Sequence, residues 1–168
     1  MSVATILLAV LANQLGGIAP DIDQPTAPFW RNLPIGGVFG RIIDKMLGGH
    51  RFITHSLFGF AVATFLFHLL LIFLQPILHG VNITFVWWAF VIGMLSHLIM
   101  DTFTKEGVPW LLPIPIKFGI PPLKQFRITT GKAVENFIVF PLLALLLIAT
   151  VAMNYGVFVE LLHKRITG

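Results

Sequence analysis

The chain has 168 residues, of which 57% are hydrophobic and 11% are charged, and its mean hydropathy is +0.90. A soluble domain carries about 25% charged residues, so this composition excludes an ordinary water-soluble globule. Disorder is excluded as well, because disordered segments are poor in aromatic residues and this chain has 16 Phe and 4 Trp. The formal charge of +4 comes from short basic segments beside apolar stretches, so we expect no nucleic-acid partner and take the lipid bilayer as the partner instead.

Long stretches without a charged residue predict membrane-spanning helices. Residues 1–20, 52–100 and 136–159 contain no Asp, Glu, Lys or Arg, and apolar stretches of about 18 or more residues are typical of spans. The predicted spans are Ser2 to about Ala19, Thr54 to Leu74, Ile83 to about Met100, and Asn136 to about Val159. The predicted fold class is therefore all-α, a polytopic membrane helical bundle of about four transmembrane helices that forms a single domain over residues 1–168.

Breaker residues divide the chain between these spans. The uncharged stretch 52–100 is longer than one bilayer crossing and contains Pro76, Gly80 and Asn82 near its middle, which predicts a helical hairpin. The segment between the third and fourth spans, called the proline-rich loop below, contains Pro109, Pro113, Pro115, Pro121 and Pro122. This density of proline forbids a regular helix, and we expect the loop to lie along the membrane interface.

The basic residues predict the orientation of the helices in the membrane. Nine of the eleven lie in the segments before and after the hairpin, as Arg31, Arg41, Lys45 and Arg51 on one side and Lys105, Lys117, Lys124, Arg127 and Lys132 on the other. The other two, Lys164 and Arg165, follow the last predicted span. The hairpin turn from Gln75 to Asn82 has none. Because basic loops stay on the cytoplasmic side, the ends of the helices that carry these segments are predicted to face the cytoplasm.

Histidines and acids collect at this same end of the predicted helices. Asp21 and Asp23 follow the first span, His50 and His55 begin the second, His97 and Asp101 close the third, and Glu135 begins the fourth. His97 and Asp101 are four residues apart and so share one face of a helix. Since the chain has no Cys, a metal ion would be held by imidazole and carboxylate groups, and the number of histidines favours zinc or manganese.

Two interpretations of this cluster are open at the level of sequence. Ionisable groups cost about 2.5–3.5 kcal/mol each at the middle of a bilayer, and clustered acids repel one another, so a divalent cation would stabilise the cluster. The alternative is a non-catalytic scaffold, or a metal-binding or transport protein, in which the same residues hold the helices together. A carrier places its ligands near the bilayer midplane, whereas these lie at the helix ends.

The motifs resemble those of a known family. They are Pro-Asp-Ile-Asp at 20–23, His-Arg-x-x-Thr-His-Ser at 50–56, Gly-x-x-Ser-His-x-x-x-Asp-x-x-Thr at 93–104, a Gly-x-Pro-x-x-x-Pro loop from Gly107, and a late Gly-x-x-x-Glu ending at Glu135. This order is similar to that of the YdjM-like bacterial inner-membrane proteins, a family described as membrane-bound metal-dependent hydrolases. The His-x-x-x-Asp element is more distantly similar to zinc-dependent phospholipase C. The chain departs from the family at Phe52, where Gly is common, and in having no His before His50.

The resemblance implies a multi-pass protein of the bacterial inner (cytoplasmic) membrane that cleaves a phosphoester of a lipid or of another membrane-proximal substrate. The predicted metal ligands are Asp21, Asp23, His50, His55, His97, Asp101 and Glu135. Of these, Asp23, His50 and Glu135 are expected to be outer ligands or proton carriers. The residues predicted to act in catalysis are Glu135, Asp23 and Arg51, with Arg51 stabilising charge on a phosphate.

Overall fold

The computed structural model describes residues 1–48, 51–114, 116–129, 137, 140–153, 155, 156 and 159. Within these residues the regular structure is helical, apart from one isolated bridge that pairs Val108 with Phe118, so the all-α prediction is confirmed. The chain divides into two compact units, Met1–Arg127 and Ile128–Gly168. Two of the predicted site residues, His50 and Glu135, lie outside the described residues.

Helix α1, Val3–Ile18, corresponds to the first predicted span. It begins after Ser2, whose hydroxyl accepts a hydrogen bond from the backbone N–H of Thr5, as an N-cap does. Its 16 residues make it shorter than the roughly 20 residues that cross a bilayer unaided. It is apolar, but it is too short to be counted as a candidate membrane span.

Two helices of the first unit are long and apolar enough to cross a membrane. Helix α4, Leu57–Leu74, has a mean hydropathy of 2.5, and helix α5, Ile83–Thr102, has a mean hydropathy of 1.9. The α4 helix begins three residues later than predicted because Ser56 caps it, accepting from the N–H of Gly59. His55 therefore precedes the helix. The α5 helix continues past Met100 to Thr102, so Asp101 lies in its last turn.

Helices α1 and α5 run parallel and pack backbone against backbone. A Cβ atom on Gly16 would lie 2.2 Å from the carbonyl oxygen of Phe90, and one on Gly93 would lie 2.1 Å from that of Asn13. Small residues allow such close helix packing in membranes. The Asn13 side chain also donates to the carbonyl of Ala89 at 2.9 Å. This packing brings the C-terminal ends of both helices to one end of the unit.

The segment before α4 contains two helices that the sequence pattern does not predict. Helix α2, Pro28–Arg31, is a single turn, and helix α3, Gly36–Met46, packs Gly40 against Pro25 and the Trp30 ring. The apolar side chains of α3, Val38, Phe39, Ile42 and Met46, are exposed. In the second unit, helix α6, Phe140–Met153, lies within the fourth predicted span, whose first residue, Asn136, falls outside the described residues.

The proline-rich loop folds back onto the ends of α4 and α5. Val108 and Phe118 exchange two backbone hydrogen bonds of 2.8 and 2.9 Å, and the N–H of Ile120 donates to the carbonyl of Thr102 at 2.8 Å. The N–H of Leu57, at the start of α4, donates to the carbonyl of Trp110 at 3.1 Å. The loop is therefore a folded element attached to the same end of the helices as the acids and histidines.

Candidate metal centre

Three regions of the chain bring the predicted site residues together. Asp21 and Asp23 lie in a 3₁₀ turn, Pro20–Asp23, that follows α1, while His55 lies just before α4 and His97 and Asp101 lie in the last two turns of α5. Because proline starts the turn directly after α1, the helix ends there, and both carboxylates lie beside α5. The convergence predicted from the spacing of charged residues is thus found, within the first unit, for these five of the seven predicted residues.

The side chains of two histidines and two aspartates lie close together. His55 Nε2 lies 3.7 Å from Asp21 Oδ1 and 3.3 Å from Asp101 Oδ2. His97 Nε2 lies 3.7 Å from Asp21 Oδ1 and 3.5 Å from Asp101 Oδ2. The donor atoms of Asp21, His55 and His97 all lie within 4.8 Å of one another. Each histidine therefore faces both carboxylates.

These separations suit the donors of a metal ion better than they suit hydrogen bonds. Zinc bonds of about 2.0–2.1 Å at tetrahedral angles separate neighbouring ligand atoms by about 3.3–3.4 Å, whereas hydrogen bonds from N–H to oxygen are about 2.9 Å long. The four distances of 3.3–3.7 Å fall close to the metal value. Two nitrogen and two oxygen donors without sulfur fit zinc or manganese.

The outer ring nitrogens of both histidines are held by oxygen atoms. The Nδ1–H of His97 donates to the carbonyl oxygen of Gly17 at 2.6 Å, since a carbonyl only accepts. His55 Nδ1 lies 3.0 Å from the Thr54 hydroxyl, which donates its own hydrogen to the Asp23 carboxylate and so accepts from the ring. With Nδ1 carrying a proton, each ring in its neutral form directs the Nε2 lone pair to the centre, as in histidines that bind metals.

Two polar atoms at the centre have no hydrogen-bond partner among the described residues. They are His97 Nε2 and Asp101 Oδ2, and both are buried. The other oxygen of Asp101, Oδ1, accepts from Arg51 Nη2 at 2.9 Å, which leaves Oδ2 turned toward the two histidines. Buried polar atoms are nearly always partnered, so two unsatisfied atoms that face each other at 3.5 Å support the presence of a ligand between them.

Arg51 lies behind the centre and joins several parts of it. Its Nη1 donates to the Thr104 hydroxyl at 2.8 Å, and its Nε lies 3.5 Å from Glu106 Oε2. Its backbone N–H donates to Asp23 Oδ2 at 3.0 Å. The backbone of Arg51 adopts a left-handed conformation with φ of 60°, which is uncommon for a side-chain-bearing residue and is found where the surroundings hold it. The guanidinium is thus committed to orienting Asp101.

Asp23 takes an outer position. It is fully buried, and its Oδ2 receives hydrogen bonds from the Arg51 backbone and from Thr54. It lies 3.7 Å from His55 Nδ1, on the opposite edge of the ring from the centre. The sequence allows Asp23 to be either a direct metal ligand or an outer residue that contacts a ligand. This geometry favours the outer position.

The electrostatics of His55 reflect the nearby acids. Burial of the imidazole lowers its pKa, but the close approach of the Asp101 and Asp23 carboxylates outweighs burial and raises the pKa of His55 above its ordinary value of 6.5. Two carboxylates therefore favour a positive charge on this ring. A metal ion at the same Nε2 would compete with the proton there.

Sequence reasoning missed the contacts behind the ligands. Thr54 and Thr104 belong to the family motifs, but the sequence gives no sign that Thr54 bridges Asp23 to His55 or that Thr104 holds Arg51. Gly17 contributes only a carbonyl, which any residue could supply, and Glu106 belongs to none of the motifs. The predictions for His50 and Glu135 lie outside the described residues.

Comparison with known proteins identifies the family. The family model described as YdjM inner membrane protein matches residues 2–162. Inner membrane protein YdjM of Escherichia coli (strain K12) is 32% identical over 133 residues, which cover 72% of this chain and 56% of that protein. Uncharacterized protein YvsG of Bacillus subtilis (strain 168) is 30% identical over 116 residues, which cover 68% of this chain and 63% of that protein.

The matched regions cover only part of each relative. They span 63% and 56% of the lengths of these two proteins. No solved structure matches the chain. The likeness to zinc-dependent phospholipase C stays a resemblance of motifs.

Proposed function

The chain belongs to the YdjM inner membrane protein family, and we propose that it is a multi-pass hydrolase whose Asp21, His55, His97 and Asp101 hold a divalent metal. The observation that carries the proposal is the ring of four donor atoms with neighbour distances of 3.3–3.7 Å. The reaction that we propose is hydrolysis of a phosphoester, and the substrate is borne by a lipid or lies beside the membrane.

The bound group would be zinc or manganese, held by Nε2 of the two histidines and by one oxygen of each aspartate. When bound, such an ion supplies Lewis acidity toward a phosphoryl oxygen and makes a water nucleophile available at neutral pH. Asp21 is the most exposed of the four ligands, with 34% of its side chain accessible, against 0% for His55 and 10% for Asp101. Substrate therefore approaches from the side of Asp21.

The surrounding residues orient the ligands. Thr54 and the Gly17 carbonyl hold the Nδ1 protons of the histidines, and Arg51 holds Asp101 Oδ1. Because the Arg51 guanidinium is bound to groups of the protein, its role in this proposal is to position Asp101, in place of the direct contact with phosphate predicted from sequence. Glu135, which lies outside the described residues, enters the proposal as predicted from sequence, as an outer ligand or a proton carrier.

Orientation and location support a membrane-facing substrate. The site lies at the ends of apolar helices α4 and α5, and the segments around it carry the basic residues that predict a cytoplasmic position. Lys117 and Lys124 lie on the proline-rich loop that adjoins the site. Basic residues beside a bilayer attract anionic lipid headgroups.

Metal content of the purified protein tests the proposal. Protein in detergent would be measured by elemental mass spectrometry as wild type, as His97→Ala and as His68→Ala, a matched control that removes an imidazole from the middle of α4. We expect near-stoichiometric zinc or manganese in the wild type and in His68→Ala and little in His97→Ala. Release of headgroup or phosphate from phospholipids in mixed micelles should follow metal content. A folded wild type that takes up no metal would refute the proposal.

The scaffold alternative makes a different prediction for Asp101→Asn. If the cluster serves only to hold helices together, this variant loses thermal stability while the amount of metal bound to the protein does not change. If the cluster holds a metal for catalysis, Asp101→Asn binds metal weakly and loses turnover, while added zinc no longer raises its melting temperature.

A further inference from the structure

A cavity of about 400 Å³ lies between the proline-rich loop and the end of α5. Its lining residues are Thr102, Trp110, Leu111, Phe118, Gly119 and Ile120. The lining is apolar apart from Thr102, whose hydroxyl already donates to the Leu98 carbonyl and accepts from the Trp110 indole. The volume lies within the range of about 300–1,000 Å³ that is usual for small-molecule sites, and the two polar side-chain groups of the lining, the Thr102 hydroxyl and the Trp110 indole, are hydrogen-bonded to each other.

The cavity is attached to both helices that adjoin the metal ligands. Trp110 donates from its indole Nε1 to Thr102 at 3.1 Å, and Thr102 directly follows Asp101. The carbonyl of the same Trp110 accepts from the N–H of Leu57 at 3.1 Å, two residues after His55. One wall of the cavity is therefore hydrogen-bonded to two residues, Thr102 and Leu57, that follow the proposed ligands Asp101 and His55 closely in the chain.

The surface around the cavity has the character of a lipid-binding surface. Leu111 and Ile120 are 50% and 54% exposed at its rim, and Ile114, Ile116, Leu123 and Phe126 are exposed along the same loop. Residues 108–129 include Lys117, Lys124 and Arg127 and contain no acid. An apolar surface with basic residues complements an anionic lipid, whose chains are apolar and whose phosphate is negative.

We propose that this cavity binds an acyl chain of an anionic membrane phospholipid, so that the phosphate of the same lipid lies at the metal centre. The proposal rests on the proposed function for the position of the phosphate. It also accounts for the folded form of the proline-rich loop, since the Val108–Phe118 pairing and the Ile120–Thr102 hydrogen bond hold the cavity walls in place. The substrate class is then a two-part ligand, with an apolar chain and an anionic phosphoester.

Photo-cross-linking tests the occupant. The full chain would be placed in nanodiscs of phosphatidylcholine and phosphatidylglycerol that contain a phosphatidylglycerol with a diazirine on its acyl chain, and labelled peptides would be mapped by mass spectrometry. Leu111→Trp fills the cavity, whereas Leu123→Trp makes the same change on the same loop at a residue outside the cavity lining. We expect label on residues 108–120 of the wild type and of Leu123→Trp, and about tenfold less in Leu111→Trp, the factor expected when roughly two methylene groups lose their burial.

The outcomes separate this proposal from the proposed function. Labelling of the cavity in wild type and in metal-depleted His97→Ala, with loss in Leu111→Trp, would support the acyl-chain site whether or not the protein is a hydrolase. Equal labelling of 108–120 in Leu111→Trp and Leu123→Trp would overturn it. The proposal would also be overturned if residues 108–120 of the metal-loaded wild type carried no label, because protein would then cover the cavity. Metal content measured on each sample decides the proposed function separately.

Discussion

Replacement of Thr54 by Val tests the geometry behind the proposed metal ligands. The Thr54 hydroxyl donates to the buried Asp23 carboxylate and accepts from the Nδ1–H of His55 at 3.0 Å. Valine has a similar shape but no hydroxyl, so Thr54→Val removes both hydrogen bonds and leaves the packing nearly unchanged. We expect weaker zinc binding, because the ring of His55 is no longer fixed with Nε2 toward the centre.

The expected magnitude follows from these two hydrogen bonds. Removal of an outer partner of a metal-binding histidine typically weakens metal affinity about 10- to 100-fold, or about 1.4–2.7 kcal/mol of binding free energy. The metal-free protein also loses a donor to a buried carboxylate, at a cost of about 1–3 kcal/mol in the free energy of unfolding. Asp23 keeps its bond from the Arg51 backbone, which places the expected cost toward the lower end of that range.

Competition with a chromophoric zinc chelator measures the affinity, and thermal melting with and without zinc measures the stability. Thr64→Val is the matched control, because Thr64 is a buried threonine whose hydroxyl donates to carbonyls of its own helix, Phe60 and Ala61. Thr54→Ser restores the hydroxyl and should recover most of the affinity. If Thr54→Val binds zinc as tightly as Thr64→Val does, the assignment of Thr54 as the residue that fixes His55 is wrong.

Three further predictions concern helix packing, the buried ion pair and pH. Gly93→Ala should destabilise the protein by about 1–3 kcal/mol through overpacking, as measured by unfolding in detergent. Gly17→Ala, with open space around its Cβ, should be as stable as wild type. Equal melting temperatures of the two variants would contradict the close packing of α1 and α5. Arg51→Gln should lower the free energy of unfolding by about 3–5 kcal/mol, because it removes the guanidinium that is paired with the mostly buried Asp101 carboxylate, and chemical denaturation without added zinc checks this. Since the pKa of His55 lies above 6.5, its contribution to the stability of the metal-free protein should be complete below pH 6.5 and lost as the pH rises through the raised pKa. Zinc affinity should rise over the same window, and a pH series that showed affinity falling there would refute the competition between zinc and the proton.

Much of the first unit was predictable because charge is absent from long stretches of the sequence. Uncharged stretches and helix breakers indicated α1, α4 and α5, and the positions of Asp21, His55, His97 and Asp101 at helix ends indicated that they converge. The predicted start of α4 is too early because Thr54 and His55 are compatible with an apolar helix by composition. Only the capping hydrogen bond of Ser56 to the Gly59 N–H fixes where the helix begins.

Other features depend on contacts that have no signature in the sequence. Helix α3 escapes prediction because its 11 residues include three glycines, and glycine disfavours helix in isolation; packing of Gly40 against Trp30 compensates. The hydrogen bond from His97 to Gly17 and the bond from the Arg51 backbone to Asp23 use main-chain groups. Every residue carries such groups, so residue types alone cannot indicate which of them will face a ligand.

The packing of α1 on α5 links these backbone contacts to the chemistry of the site. The Gly17 carbonyl reaches His97 Nδ1 at 2.6 Å only while the two helices keep their register, and that register depends on Gly16 and Gly93, where the backbones touch. A slip of one residue along a helix moves the carbonyl by about 1.5 Å, enough to break a hydrogen bond of this length. Gly93→Ala lies one helical turn from His97 and alters no donor atom, yet it should weaken zinc binding together with stability. If the variant lost stability but bound zinc as tightly as wild type, helix register would not determine the orientation of His97.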